Sequence, residues 1–223
     1  MIHVHHLEKS RSHRILWLLE TLGLDYEISV YQRDASTQQA PEALRKIHPL
    51  GKSPVITDGE LTVAESGAII DYLLQRYAQG RCQPDSDDLN AWVDYRYWLH
   101  YAEGSLMPLL VMKLVFGQLP KRAPWLVKPI AKGITQTVNS SFLDPQINRH
   151  LRFIDDYLAA RDQFAGPWPS GADVQMSFPL QAVAATGSMA EYPAIARFVE
   201  RVEDDPAWLR VVERAGPLTM PGA

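Results

Sequence analysis

The feature that most constrains this chain is a change of hydrophobic period near residue 78. Before it, short runs with strand-like alternation are interleaved with helical apolar stripes, and after it only helical stripes occur. Residues 2–7, IHVHHL, read as a strand. Ile15, Leu18, Leu19 and Leu22 then fall at i, i+3, i+4 and i+7, and Gly23 supplies a C-terminal glycine. DYEISVY (25–31) alternates as a second strand. Ser36 and Gln39 are spaced as a capping box before a short helix ending near Ile47. PVIT (54–57), a turn at Asp58-Gly59 and LTV (61–63) form a hairpin signal. Ser66 opens a helix whose Ile69, Ile70, Leu73 and Leu74 share one face. This β-α-β-α-β-β-α order predicts a small mixed four-stranded sheet with helices packed on it, over residues 1–78.

Residues 79–88 fall within the polar stretch AQGRCQPDSDD and read as a linker into an all-helical region, 89–223. Residues 89–117 predict one long buried helix, ended by the prolines of LPKRAPW (119–125). A second long helix is expected over 126–160, interrupted near Gly133 or Pro145. PWPSGAD (167–173) is a loop whose Ser170 and Asp173 cap a further helix, which Pro179 should kink. Two short helices follow, 192–203 and 206–214.

Composition removes several function classes. A net charge of -4 gives no electrostatic footprint for nucleic acid. No run of about 18 consecutive apolar residues occurs, so neither a transmembrane helix nor a membrane partner is expected. MIHVHHLEKS lacks the apolar core of a signal peptide, and the lone Cys82 excludes an internal disulfide, so a reducing cytoplasmic setting is expected. His3 and His5 share one strand face, but no further ligand is evident and no metal is expected.

Two helix starts carry chemistry. In LEKSRSHRILW (7–17), Ser10 and Ser12 stand among Lys9, Arg11 and Arg14 where the first helix begins, although a cap needs only one serine. At Glu65-Ser66 an acid and a donor are adjacent, a pairing that suits a zwitterion. A helix N-terminus offers unpaired N–H groups and partial positive charge, so both sites attract anions.

Four segments, HPLGKSPVITDG (48–59), AESGAII (64–70), SGAD (170–173) and YPAIARFVERVEDDPA (192–207), occur in an order and spacing that resemble the cytosolic glutathione transferases. The resemblance covers essentially the whole chain, and YWLHYAEGSLMPLLVMKLVF (97–116) looks like the fungal and bacterial branch. It implies a thioredoxin-like domain followed by an all-helical domain, a symmetric homodimer, and glutathione as cosubstrate without a metal. It also implies a cis Ser53–Pro54 bond, with the Ser53 backbone pairing with the peptide of glutathione as an added strand. Glu65 and Ser66 would hold the γ-glutamyl group, Lys52 the glycine carboxylate, and Glu103 would reach in from the helical part. The serine-type members carry S-x-x-x-R at the first strand–helix junction, which Ser10 and Arg14 fit, so Ser10, or alternatively Ser12, would donate to the thiolate. Arg14 would brace the domain by ion pairing, while Tyr101 and Met107 would line the electrophile pocket. The required chemistry is modest. A thiol of pKa near 8.5 must ionise at neutral pH, and one charge-assisted hydrogen bond of about 1.5–3 kcal/mol lowers that pKa by about one to two units.

No cysteine stands at the junction and there is no CxxC, which argues against disulfide exchange. The expected activity is conjugation of glutathione to a small apolar electrophile, a detoxifying reaction. A glutathione-dependent peroxidase or isomerase on the same fold, and a non-catalytic interaction module, are the rivals.

Overall fold

The computed structural model describes residues 1–37, 39–187 and 189–220. A four-stranded sheet of order β2-β1-β3-β4 forms the N-terminal part. β1 (Ile2–Leu7) runs parallel to β2 (Tyr26–Tyr31), with Ile2 opposite Tyr26, and antiparallel to β3 (Val55–Asp58), with His5 opposite Val55. β3 pairs in turn with β4 (Leu61–Ala64). The parallel pair requires a crossover, and α1 (Ser12–Leu22) supplies it. Gly23 takes the left-handed conformation that closes α1, with φ 67°. α2 (Glu42–Ile47) and α3 (Ser66–Tyr77) complete this part.

The remainder is helical: α4 (Leu89–Tyr101), α5 (Met107–Arg122), α6 (Lys128–Val138), α7 (Asp144–Ala160), α8 (Gly171–Ala184), α9 (Pro193–Glu203) and α10 (Pro206–Ala215). α1 is buried on nearly every side because α8 and α10 cover the faces that the sheet and α3 leave open. Ile15, Leu16, Trp17, Leu18 and Leu19 are wholly enclosed, and each such side chain contributes about 1.5–3 kcal/mol of burial. Trp17 meets Trp208 of α10 edge-on, with ring centroids 6.0 Å apart. α8 starts with the expected capping box: Ser170 Oγ accepts from Asp173 N, and Asp173 Oδ2 accepts from Ser170 N at 2.8 Å. Gly171 allows the close approach there, since a Cβ would stand 2.7 Å from Ile70 Cγ2 and 2.9 Å from Leu74 Cδ1.

Several local expectations are corrected. Ser36 and Gln39 form no capping box. The amides and hydroxyls of Ser36 and Thr37 all donate to Asp34 Oδ1, a nearer acceptor, and α2 begins later, behind Pro41. The hairpin turn is Gly59-Glu60, because Asp58 still pairs with Leu61. The first long helix contains a π-helical turn, Ala102–Leu106, and passes through Pro120 to Arg122. It is also less buried than expected: in α5 only Met107 and Leu109 are buried. By length and composition the run Leu89–Arg122 matches a membrane span, because an averaged window tolerates polar residues that interrupt a strict apolar run. Its first part packs on α8 as a core helix does. The second long helix is interrupted between Gly133 and Pro145, by a π-helical turn at Asn139–Leu143. Pro145 falls two residues after that turn, where its missing N–H interrupts the ladder of an otherwise continuous helical run. Ser53–Pro54 is cis, as the resemblance implied, and Trp168–Pro169 is cis as well.

Candidate active site

A cleft of about 660 Å³ opens where the β1–α1 junction and the segment before β3 face α5 and α8. Its floor on the sheet side is Leu7, Lys9, Ser10, Arg11, Gly51, Lys52 and Ser53. Its opposite wall is apolar, built from Met107, Leu110, Val111 and Leu114 of α5 and Phe178 and Ala182 of α8. Lys9, Arg11, Arg33, Arg45, Lys52, Lys113 and Lys121 line it, whereas no described Asp or Glu does. This cationic rim was largely missed, because its members come from separate elements and share no spacing.

Ser10 is buried at the root of the cleft. Its Oγ lies 2.8 Å from Ser12 Oγ, donates to Ser53 Oγ at 3.3 Å and accepts from Ser12 N at 3.3 Å. Ser53 Oγ donates onward to the His5 carbonyl at 3.0 Å. Ser12 is fully buried, does not reach the cleft, and bonds His6 Nδ1 at 2.7 Å. Burial, and then the neighbouring His13, push the His6 imidazole down to about 4, so it is neutral at pH 7. The two serines therefore differ in depth: Ser10 faces the open space and Ser12 stands behind it.

Arg14 is buried and donates to Ser66 Oγ, to Gln175 O at 2.8 Å and to Glu103 at 2.6 Å. Burial pushes its guanidinium down to about 10, against the opposing pull of Glu103, and it remains charged at neutral pH. Glu103 also pairs with Arg11 at 3.1 Å. An ionic chain thus runs from Arg11 in the cleft, through Glu103 and Arg14, to Ser66 at the start of α3. Arg14 braces the two parts of the molecule, and Glu103 is engaged by two arginines.

Of the residues anticipated from sequence, Ser10, Lys52, Ser53 and Met107 line one cleft. Pro54 is buried beneath it. Glu65 and Ser66 lie outside its lining, at the far end of the ionic chain; Glu65 is exposed and held at φ 70°. The Ser66 oxygen accepts from Arg14, which leaves its hydroxyl proton free to donate. Tyr101 is not part of the cleft. Its ring packs in an aromatic cluster with Trp98 and Phe153, and its hydroxyl bonds His150. Cys82 is buried, and burial pushes its thiol up to about 11. His3 and His5 stack on each other and bond Ser29, Tyr31 and Thr57, and no metal-ligating cluster occurs among the described residues.

Sheet, junction and helical wall together define a thioredoxin-like α/β part joined to a mostly helical part, with a cleft between them that favours anions. Residues 1–75 match the model of the glutathione S-transferase N-terminal domain. The chain is 35% identical to glutathione S-transferase 3 of Schizosaccharomyces pombe, over 99% of this chain and 90% of that protein. It superposes on a glutathione S-transferase of Actinobacillus pleuropneumoniae with TM-score 0.81 and 36% identity, covering 98% of this chain and 94% of the other. A sphingomonad glutathione S-transferase, solved with glutathione, shares the fold at TM-score 0.71 and 22% identity, over 96% and 98% of the two chains. The chain belongs to the glutathione S-transferase family.

Proposed function

We propose that the protein is a serine-type glutathione transferase of the fungal and bacterial branch, conjugating glutathione to a small apolar electrophile. The observation that carries this reading is the position of Ser10, whose hydroxyl lies between the N-terminus of α1 and an apolar wall, in a cleft ringed by cations. Glutathione with an ionised thiol carries two net negative charges, which such a rim favours. Residues 1–78 hold glutathione and 89–223 supply the electrophile pocket, joined by 79–88. Lys52 takes the glycine carboxylate, the Ser53 backbone takes the peptide, and Glu65 with Ser66 takes the γ-glutamyl group at the far end of the ionic chain. The sphingomonad relative solved with glutathione supports glutathione as the cosubstrate.

The chemistry is thiolate attack. Ser10 donates its hydroxyl proton to the thiolate as a hydrogen bond, while the N–H groups at the start of α1 and the nearby cations stabilise the anion. The electrophile lies against Met107, Leu110 and Phe178, and enclosure by both parts fixes the attack geometry. The nucleophile belongs to the cosubstrate, so no covalent enzyme intermediate is required. The active form is a cytoplasmic homodimer.

The test is retention on glutathione resin, followed by turnover of a chloronitrobenzene and of cumene hydroperoxide. Retention with conjugation supports the reading. Turnover of the hydroperoxide alone would make the protein a peroxidase, and retention without turnover a non-catalytic glutathione binder. The absence of both retention and turnover would overturn the glutathione site.

A further inference from the structure

Between Glu103 and Asp144 the chain contains no carboxylate. That span holds Lys113, Lys121, Arg122, Lys128 and Lys132, in a protein whose net charge is -4. Lys113 is paired with Asp144 at 2.8 Å. The other four cluster at the tip of the α5–α6 hairpin, and among the described residues none of them has an ion-pair partner. The same tip exposes large apolar side chains: Trp125 is 80% exposed, Leu126 69% and Ile130 65%. A tryptophan left this open is unusual, and contiguous exposed apolar surface marks an interaction site.

The local structure explains why these groups stay outside. The buried side of α6 is carried by Thr135, whose hydroxyl donates to Phe116 O of α5 at 3.1 Å. Ile130 and Ile134, four residues apart, are both exposed and share a face. The turn before α6 is pinned by the amides of Val127 and Lys128, which both donate to Pro124 O at 3.0 Å. Trp125 and Leu126 therefore project from a stiff turn at the end of a long hairpin rather than from a loose loop.

We propose that this tip docks on an anionic lipid bilayer, with Trp125 and Leu126 entering the interface and Arg122, Lys128 and Lys132 facing the head groups. A basic, amphipathic element with Trp and Leu at its apolar edge has the composition that seats at such a surface. Charge decides against a second copy of the same tip, because two identical tips would bring cations together with no carboxylate between them. Peripheral docking needs no membrane-spanning helix, so it departs from the sequence expectation of no membrane partner without contradicting its reasoning. The inference stands apart from the transferase reading, since Arg122, Trp125, Leu126 and Lys128 do not line the cleft.

Flotation with vesicles tests it, using phosphatidylcholine alone and an equal mixture of phosphatidylcholine with phosphatidylserine. The protein should float with the anionic vesicles, poorly with the neutral ones, and progressively less as salt rises. Each cation removed should weaken binding about five-fold, so R122E/K128E should remain at the bottom of the gradient. W125S should weaken binding about ten-fold on its own. Circular dichroism and retention on glutathione resin should match the native protein in both variants, which separates lost docking from lost folding. The proposal is overturned if the native protein does not float with anionic vesicles, or if R122E/K128E floats as well as it does. It is equally overturned if W125S alters the sedimentation mass while leaving flotation unchanged, because the tip would then be a contact between copies.

Discussion

Ser10 and Ser12 are two residues apart, and their surroundings assign them different work. Ser10 lines the cleft, whereas Ser12 lies behind it, between Ser10 and His6. When His6 donates from Nδ1 to Ser12, Ser12 can donate on to Ser10. The Ser10 proton is then free to turn from Ser53 toward a thiolate. Ser10→Ala should therefore raise the pKa of bound glutathione by about one to two units, the equivalent of one charge-assisted hydrogen bond. Ser12→Ala should raise it less while lowering the melting temperature, because it leaves the buried His6 without its partner. Ultraviolet titration of the thiolate in the complex, beside thermal melts, separates the two. A pKa that moves only in Ser12→Ala would reverse the assignment. At this scale the sequence was legible in placement: the first strand–helix junction puts Ser10 in the cleft and Arg14 in an ion pair. Glu103 was placed near the site, but its partners were not visible. A buried Arg14 needs a counter-ion, and burial is a property of the packed molecule. Arg33, Arg45 and Lys121 reach the cleft from three separate segments, and only the fold brings them together.

Elements were legible where local chemistry decides them. The Ser170–Asp173 cap formed as its spacing predicts because both oxygens are buried and nothing nearer competes. The similar spacing at Ser36 and Gln39 did not form a cap, because the Ser36 amide donates to Asp34 and the Gln39 amide to Thr37 Oγ1. Both π-helical turns precede a proline by two residues, Pro108 and Pro145, whose missing N–H cannot continue the regular ladder; periodicity alone did not reveal them. Gly171 is a case where a small residue is fixed by a tertiary neighbour rather than by its own backbone. The α8 start presses against Ile70 and Leu74 of α3, and any Cβ would have to displace them. Gly171→Ala should destabilise the fold by about 1–3 kcal/mol through overpacking. For a chain of this size, each kcal/mol lowers the melting temperature by about 2–4 °C. Ser170→Ala, which removes only a cap, should cost about 1 kcal/mol. If the melts show Gly171→Ala to be the milder change, α8 is not seated as closely as described.

At the scale of the whole molecule, the change of period near residue 78 matches the end of α3 at Tyr77 and the start of α4 at Leu89. What the period could not convey is that α1 is shared, buried by the sheet on one side and by α8 and α10 on the other. Histidines gather at that seam. His6 and His13 stand 4.9 Å apart, and His13 Nε2 bonds Gly216 O beyond α10 at 3.1 Å. This placement makes the joint sensitive to acid. Burial holds His6 down to about 4 and keeps His5 and His13 below their usual value, while unfolded histidine titrates near about 6.5. Between those values the unfolded chain binds protons that the folded chain refuses, so stability falls as pH falls, by up to about 1.4 kcal/mol per unit for His6 alone. Asp173 acts in the opposite direction. Burial pushes its carboxyl up to about 6, so below that pH the folded chain takes a proton that the unfolded chain does not. Its effect is half developed at pH 6, so the histidines prevail above that pH and are progressively offset below it. The melting temperature should hold from pH 8 to pH 7, begin to fall near pH 6.5, and fall more slowly below pH 6 as Asp173 takes up its proton. Below about pH 4 the fall should steepen again. There the unfolded chain takes a proton at Glu20 that the folded chain resists, because hydrogen bonds from Tyr26, Arg210 and Arg214 outweigh the cost of its burial and hold its carboxyl below its usual value at the same seam. His6→Asn keeps an amide able to bond Ser12 but cannot titrate, so it should flatten the decline between pH 6.5 and pH 6. A decline just as steep in that variant would show that the acid sensitivity arises elsewhere than at this joint.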